Sequence, residues 1–483
     1  MFIQQGKQEG WLQADLGTTY AWLRHNGVKF EAVGPRVIDG RGTALVASED
    51  IESLSPLSRE ILTVPKELVL SSETVNNHAL FDQDLRQVIE SLGDWGRTAR
   101  GAILTFLLYQ ASLSCPSIVE KIGVRCEFTQ YVKTLPCEML PTFWNAEELH
   151  LLDGTTLAPA VSSKMIRLHK EYDELCAMAA NTKWFRLVQT HLDFDDWMQV
   201  DAMFRSRALE FHGSCMIPGM DLASHAPGEA TNVTYDKTED SYVLRLIHGK
   251  SVKKDEEIAI TYGDEKGACE MLFSYGFIDH AMDTAETLFL SLSIPMTDAS
   301  RAAKARVANC APGFKLIDIA DTNDSMAATP NSHAEIDWKG DFVWLLCVSE
   351  DDGLSFQLAQ TIDGEEEICA NFRGQDFEGA DGLRRLLAQD KLWDVFRLRA
   401  IVILQQRVFE QLQALFETQE SVELTPHGDG TPIRTGPWDL ALKLRRLEFE
   451  LLEKAYEVFE AQKIELADSP VVREYLTEMN RTE

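Results

Sequence analysis

The apolar pattern of this chain changes period three times, and that alternation limits the folds open to it. Phe30 to Ile38 reads as a strand, Asp39-Gly40-Arg41-Gly42 breaks it, and Thr43 to Ala47 resumes. Ile61-Leu62-Thr63-Val64-Pro65 is another short apolar run with a proline stop. Runs this short, punctuated by glycine and proline, predict small antiparallel sheets. From residue 79 to about 212 the spacing turns helical, at Leu80 to Leu92, Ala102 to Leu113 and Val161 to Ala180. Phe128 to Trp144 holds two prolines and several aromatics, which predicts a packed connector. Strand character returns at Tyr242 to Ile247 and Glu257 to Tyr262, and Glu270 to Tyr275 predicts one short helix.

The last third differs again. Residues 301–340 are rich in Ala, Asp, Ser and Asn, which predicts a loosely ordered connection. Leu392 to Phe416 and Trp438 to Gln462 are amphipathic, with the loop Thr425 to Pro432 between them. They predict antiparallel helices of an all-α terminal domain. At about 100–200 residues per domain, 483 residues suggest two to four folding units.

Charge and cysteine usage narrow the function. The 46 basic and 77 acidic residues give a net charge of −31. Such a field repels nucleic-acid backbones and suits a basic protein or a cationic small molecule. The nine cysteines form no CxxC pair and the histidines no HExxH, so neither a disulfide framework nor a zinc or other metal site is expected. The most apolar run, Ala102 to Tyr109, is eight residues, too short for a membrane span. The first residues carry no apolar signal segment and no Ser/Arg-rich, acid-poor transit peptide. The expectation is a cytosolic protein, with the nucleus as an alternative.

Chemistry-bearing residues concentrate between Pro218 and Phe277. That tract has no Ser-His-Asp or Cys-His nucleophile signature and no phosphate-cradling GxxxxGK[ST] loop. It has Tyr235, Tyr262, Tyr275 and Phe277 in loops and strand ends. Aromatic faces and hydroxyl oxygens around a pocket suit a cationic group.

Four tracts, in order, carry a family resemblance. The first is Asp39 to Ala47, followed by Leu62-Thr63-Val64-Pro65 and Leu68-Val69-Leu70-Ser71. The second is Leu135-Pro136, then Phe143 to Leu149 and Leu152-Asp153-Gly154-Thr155. The third is Phe204-Arg205-Ser206-Arg207. The fourth runs from Asp221-Leu222-Ala223-Ser224-His225 through Tyr262-Gly263 to Tyr275-Gly276-Phe277. Over roughly residues 15–290 the chain resembles the SET-domain protein methyltransferases, and more closely the branch typified by Rubisco large-subunit methyltransferase.

The resemblance implies an α+β fold: a SET domain of small antiparallel sheets with a helical insert, followed by an all-α C-terminal domain. The implied segments are 1–78 and 213–290 for the SET domain, 79–212 for the insert and 300–483 for a substrate-binding domain. It implies S-adenosyl-L-methionine as cofactor, no metal, and methyl transfer to a lysine of a non-histone protein such as a ribosomal protein or translation elongation factor. Asp39, Gly40, Arg41 and Gly42 would approach the cofactor through backbone, and Arg207 would pair with its carboxylate. Ser224 and His225 would hold its amino-acid end, and Phe277 would lie against the adenine. Tyr262 would be the catalytic residue, and Tyr235 and Tyr275 would line the lysine channel. Two departures stand out: Ser224 replaces the family's usual asparagine, and Gly267-Ala268-Cys269-Glu270-Met271 stands where Ser-Asn-x-Glu-Leu is common. They support the alternative of a catalytically weak or inactive interaction module. A histidine acceptor is the other alternative, since some members of the branch methylate histidine.

Overall fold

In the computed structural model, strand Glu60–Pro65 pairs antiparallel with Ser241–Leu246, on the far side of the helical stretch. Lys29–Phe30 and Val233–Lys237 flank them and complete a four-stranded sheet. Ile61, Leu62, Val64, Leu244 and Leu246 are buried in one core with Leu45, Ile258 and Ile260. The description covers residues 2–39, 42–52, 59–211, 213–319, 336–360 and 366–482. Gly40 and Arg41, both expected at the cofactor, lie outside it.

Phe30 to Ile38 is two strands rather than one. Ala32 adopts a left-handed φ of 60° and turns the chain between them. Lys29–Phe30 then joins the sheet, while Val33–Ile38 forms a hairpin with Gly42–Ala47, Ile38 opposite Gly42. Leu80 to Leu92 is likewise split into helices Ser72–Phe81 and Gln83–Ser91. Asp82 stands between them and its carboxylate accepts the Leu85 N–H at 3.0 Å, capping the second helix. The expected connector at Phe128 opens with a helix, Glu127–Thr134.

Packing divides the chain into two compact units that interleave in sequence. The first contains Met1–Phe143, Val161–Asp264 and Ser274–Gly276; the second contains Trp144–Ala160, Glu265–Phe273 and Phe277–Glu483. These limits differ from the expected segment boundaries because tertiary packing, not chain order, defines them. Beside its sheets the first unit holds a helical core around Ala99–Ser112, a helix buried on nearly every side. From Gly101 to Ser112 every position is buried, as a helix with a nearly all-apolar circumference requires. Buried Asp201 ties three elements of this core, accepting from Arg100 at 2.6 Å and Lys164 at 2.7 Å.

The second unit contains the expected helices, Trp393–Glu423 and Thr435–Ala467, followed by a shorter one, Pro470–Thr482. It also contains two three-stranded antiparallel sheets. One is built from Thr287–Ser291, Gly313–Asp318 and Ile336–Lys339, so the described part of 301–340 is ordered. The other contains Leu354–Gln360, Glu366–Phe372 and Gln375–Phe377. Among the described residues no helix is long and apolar enough to cross a membrane.

The tract Leu152-Asp153-Gly154-Thr155 lies directly on the first long helix. Gly154 has φ +81°, and a Cβ there would stand 2.4 Å from the Ala414 carbonyl oxygen. Buried Arg445 spans this contact, donating to the Leu415 carbonyl at 2.8 Å and to Thr418 Oγ1 at 2.6 Å. One turn on, Glu448 accepts from the Thr156 N–H at 3.0 Å and from its hydroxyl at 2.5 Å. Burial pushes the Glu448 carboxyl up to about 7, against the opposing effects of these hydrogen bonds and of Arg445. A carboxyl raised by folding favours the folded state when protonated. Stability from this group is therefore complete below the ordinary glutamate value of 4.5 and is lost as pH rises through about 7. Glu448→Gln keeps an acceptor without the charge. It should stabilise the protein against urea at pH 8 and have little effect at pH 4.5; equal effects at both pH values would exclude a buried charge as the cause.

Candidate functional site

The site grows from a tight turn and a two-residue strand pair. Turn Met220–Leu222 packs against strand Gly42–Ala47. Directly after it, Ser224–His225 runs parallel to Ala259–Ile260, with Ser224 opposite Ala259. The second strand delivers Tyr262. The backbone N–H of Tyr262 donates to His225 Nδ1 at 3.1 Å, which makes that nitrogen the acceptor of the imidazole. The Tyr262 hydroxyl donates to the Ala223 carbonyl at 2.8 Å. Tyr275 lies against it with ring centroids 4.6 Å apart, and the His225 ring is 5.1 Å away.

Burial holds the Tyr262 phenol above its ordinary pKa, so it carries its proton at neutral pH; Arg207 opposes that shift, and Tyr275, Asp221 and Glu138 reinforce it. Arg207 ends the helix Phe194–Arg207. Its Nε donates to Glu138 Oε1 at 2.9 Å and its Nη1 to the Asp221 carbonyl at 3.1 Å. Burial works against its charge, but the Glu138 and Asp221 carboxylates outweigh it and hold its pKa above the usual arginine value.

Asp221 is the anchor of this group. Its carboxylate accepts from the Tyr131 hydroxyl at 2.7 Å and from the Gly219 N–H at 2.8 Å. Burial raises its pKa although Arg207 and these donors favour the charge. Tyr131 comes from helix Glu127–Thr134, whose last carbonyls are capped by a lysine. Lys7 Nζ donates to Val132 at 2.8 Å, to Lys133 at 3.2 Å and to Leu135, in favourable alignment with the negative helix end. Burial lowers the Lys7 pKa to about 8. Thr43, Trp22, Tyr131, Arg207, Gly219 and Asp221 help to line a cavity of about 210 Å³.

The residues singled out from sequence fall in different places. Tyr262, Tyr275, His225 and Arg207 come together. Ser224 is next to them, its N–H donating to the Ile258 carbonyl at 2.9 Å and its hydroxyl turned to the Glu257 carboxylate. Gly42 has φ +81° with nothing within 4 Å of where a Cβ would be, so it meets a backbone demand and leaves open space. Asp39 is exposed at the hairpin turn. Tyr235 is in the four-stranded sheet opposite Leu244, its ring edge-on to Phe211 at 5.4 Å. Phe277 is half-buried and belongs to the second unit. Sequence reasoning did not single out Glu138, Tyr131 or Lys7. Their distance along the chain from Arg207 and Asp221 leaves no local pattern that would mark them.

No family model matches the chain. The SET domain-containing protein 8 of Schizosaccharomyces pombe is 26% identical over 317 residues, 62% of this chain and 67% of that protein. The actin-histidine N-methyltransferase of Xenopus tropicalis is 22% identical over 458 residues, 90% of this chain and 68% of that protein. Among solved structures, the SET domain of LSMT bound to MeLysine and AdoHcy superposes with a TM-score of 0.63 at 20% identity, over 94% of this chain and 93% of that one. This chain has the fold of LSMT, a SET domain with a helical C-terminal region. The chain spans between 53% and 68% of the length of the curated relatives it matches.

Replacing Tyr131 by Phe leaves the partly buried Asp221 with one donor fewer. A hydrogen bond to a charged group contributes about 1.5–3 kcal/mol. Tyr131→Phe should lose about that much unfolding free energy at pH 7.5 in urea melts. The loss should shrink in acid, as the pH falls through the raised Asp221 pKa and the carboxyl is protonated. A pH-independent loss would mean that only packing was removed.

Proposed function

We propose that this protein is an S-adenosylmethionine-dependent methyltransferase acting on a lysine side chain of a protein. The observation that carries this reading is the Tyr262 hydroxyl, fixed by Ala223, faced by Tyr275 and close to the partly buried Arg207. The SET relatives and the LSMT structure with MeLysine and AdoHcy support it.

The residues present fit the cofactor's chemistry. Arg207 supplies a cation for a carboxylate, and Gly42 leaves open space where any other residue would put a Cβ. When bound, the cofactor supplies an electrophilic methyl group on a sulfonium. The chain has to present an uncharged amine. A free lysine has a pKa near 10.4 and arrives protonated, so its proton must leave before attack. Entry into an apolar aromatic channel disfavours the ammonium and assists that loss, with water taking the proton. Tyr262 then orients the amine. Its own proton is committed to the Ala223 carbonyl, so its oxygen lone pairs remain to accept an amine N–H. Neutral Tyr262 also avoids placing an anion that would hold the lysine in its charged form. Positioning of this kind accounts for about 7–11 kcal/mol at its best.

The substrate we infer is basic, because the net charge of −31 attracts cationic surfaces. A non-histone target such as a ribosomal protein or translation elongation factor meets that description. A histidine acceptor is the second reading, favoured by the actin-histidine relative whose match extends over 90% of this chain. Labelled methyl transfer into cell extract, followed by peptide mass spectrometry, separates them by the residue that gains the methyl group. Failure to bind S-adenosylhomocysteine at millimolar concentration, in folded protein, would overturn both and leave the interaction module.

Two substitutions test the assigned roles. Tyr262→Phe should slow transfer by about 100-fold, the scale of a misplaced reactant, while S-adenosylhomocysteine affinity stays within about threefold by calorimetry. Retained turnover would remove Tyr262 from the mechanism. Ser224 is engaged with Glu257 and is shorter than the family's asparagine. Ser224→Asn should add one hydrogen bond of about 0.5–1.5 kcal/mol and tighten the same ligand by about 2–12-fold. Weaker binding would show that Ser224 is already adapted to its neighbours.

A further inference from the structure

A second cluster of chemistry-bearing side chains stands apart from the residues described above, at the opposite end of helix Glu127–Thr134 from Lys7. His78 comes from helix Ser72–Phe81, Cys126 is the N-cap of helix Glu127–Thr134, and Glu127 is its first residue. One ligand atom from each lies within 4.8 Å of the other two. We propose that His78, Cys126 and Glu127 bind one zinc ion, with water in the remaining position.

The donor set selects the metal. One thiol, one imidazole and one carboxylate form a mixed sulfur, nitrogen and oxygen site, which suits borderline-soft zinc and not the oxygen-seeking calcium or magnesium. The geometry is near to what zinc requires. With metal–ligand bonds of about 2.0–2.3 Å, the edges of a tetrahedron are roughly 3.3–3.7 Å. His78 Nε2 and Glu127 Oε1 are already 3.2 Å apart. The sulfur lies within 4.8 Å of both, so reaching a tetrahedral edge takes at most about 1.5 Å of movement.

The surroundings hold these ligands in place. The His78 ring is stacked on Phe106 with centroids 5.5 Å apart and edge-on to Phe128 at 5.6 Å, which limits its rotation. The Cys126 sulfur faces the Thr129 N–H in the first turn of its helix. Backbone donors of this kind stabilise a metal-bound thiolate. Binding would release the thiol proton to solvent. His78 and Glu127 keep 25% and 31% of their side-chain surface exposed, so an ion has a way in. Cys126 and Glu127 also border a surface hollow shared with His25, Asn26 and Gln130, where the fourth position would meet water. The ion would cross-link two helices, one of which carries Tyr131.

The test uses full-length reduced protein, stripped with a chelator and titrated with Co²⁺ and then Zn²⁺. One equivalent of cobalt should produce a thiolate-to-cobalt charge-transfer band and the visible bands of a tetrahedral site, and zinc should bleach both. Cys126→Ser should abolish the charge-transfer band with an unchanged circular dichroism spectrum. Glu127→Gln and His78→Gln should each weaken zinc by at least about tenfold in competition with a chromophoric chelator. They keep the test open if Cys126→Ser fails to fold. Absence of the band in the parent protein, an undiminished band in Cys126→Ser, or unchanged zinc affinity in both glutamine variants would overturn the proposal.

Discussion

Everything at the Tyr262 site depends on one long-range strand pairing. Glu60–Pro65 and Ser241–Leu246 are separated by the whole helical core, yet they exchange ladder hydrogen bonds across five residue pairs. The pairing buries Ile61, Leu62, Val64, Leu244 and Leu246 together. A shift of one residue would turn Leu62 and Val64 away from the face they share with Leu244, so the core enforces the register. Closing so long a loop costs conformational entropy, but the cost grows only with the logarithm of loop length. The insertion is tolerable because its helices bury a core of their own around Ala99–Ser112.

On this frame the site is organised by partly buried charge. Asp221, Arg207 and Glu138 are largely shielded from water and satisfied by one another, by Tyr131 and by backbone groups. A buried ion pair adds little net stability, but loss of one member is expensive because it strands the other. The arrangement therefore acts as a constraint on geometry. It fixes the end of helix Phe194–Arg207 against the turn that leads into Ser224–His225, and so controls where Tyr262 emerges. The second unit uses the same device. Arg445 and Glu448, both buried, tie the Leu152–Thr156 turn to the paired long helices.

Legibility from sequence followed locality. Helix Ala99–Ser112 was visible at Ala102 to Leu113, and the long C-terminal helices were visible because their period repeats over many turns. The single strand expected at Phe30 to Ile38 and the single helix at Leu80 to Leu92 were each divided by one residue, Ala32 or Asp82, whose backbone conformation is set by the partners on either side. The sheets within 287–377 were hidden because their strands are short, from three to seven residues. At the site, Tyr262, Tyr275, His225 and Arg207 were legible through ordered motifs. Glu138, Tyr131 and Lys7 were not, since each acts on a group far away in sequence. His78 and Cys126, which we propose as zinc ligands, are likewise too far apart in the chain for spacing to pair them.

By itself the sequence determined the class of structure, small antiparallel sheets interrupted by helices and followed by long helices. It also determined which aromatic and cationic residues were available for chemistry. Periodicity and turn residues act over a few positions, so they are readable without a partner. Only the tertiary structure decided that Arg207 is shared between Glu138 and the Asp221 backbone, that Ser224 turns to Glu257, and that Tyr262 commits its proton to Ala223. Those choices are made when polar groups lose water together, and each buried donor takes whichever acceptor the completed fold brings within reach.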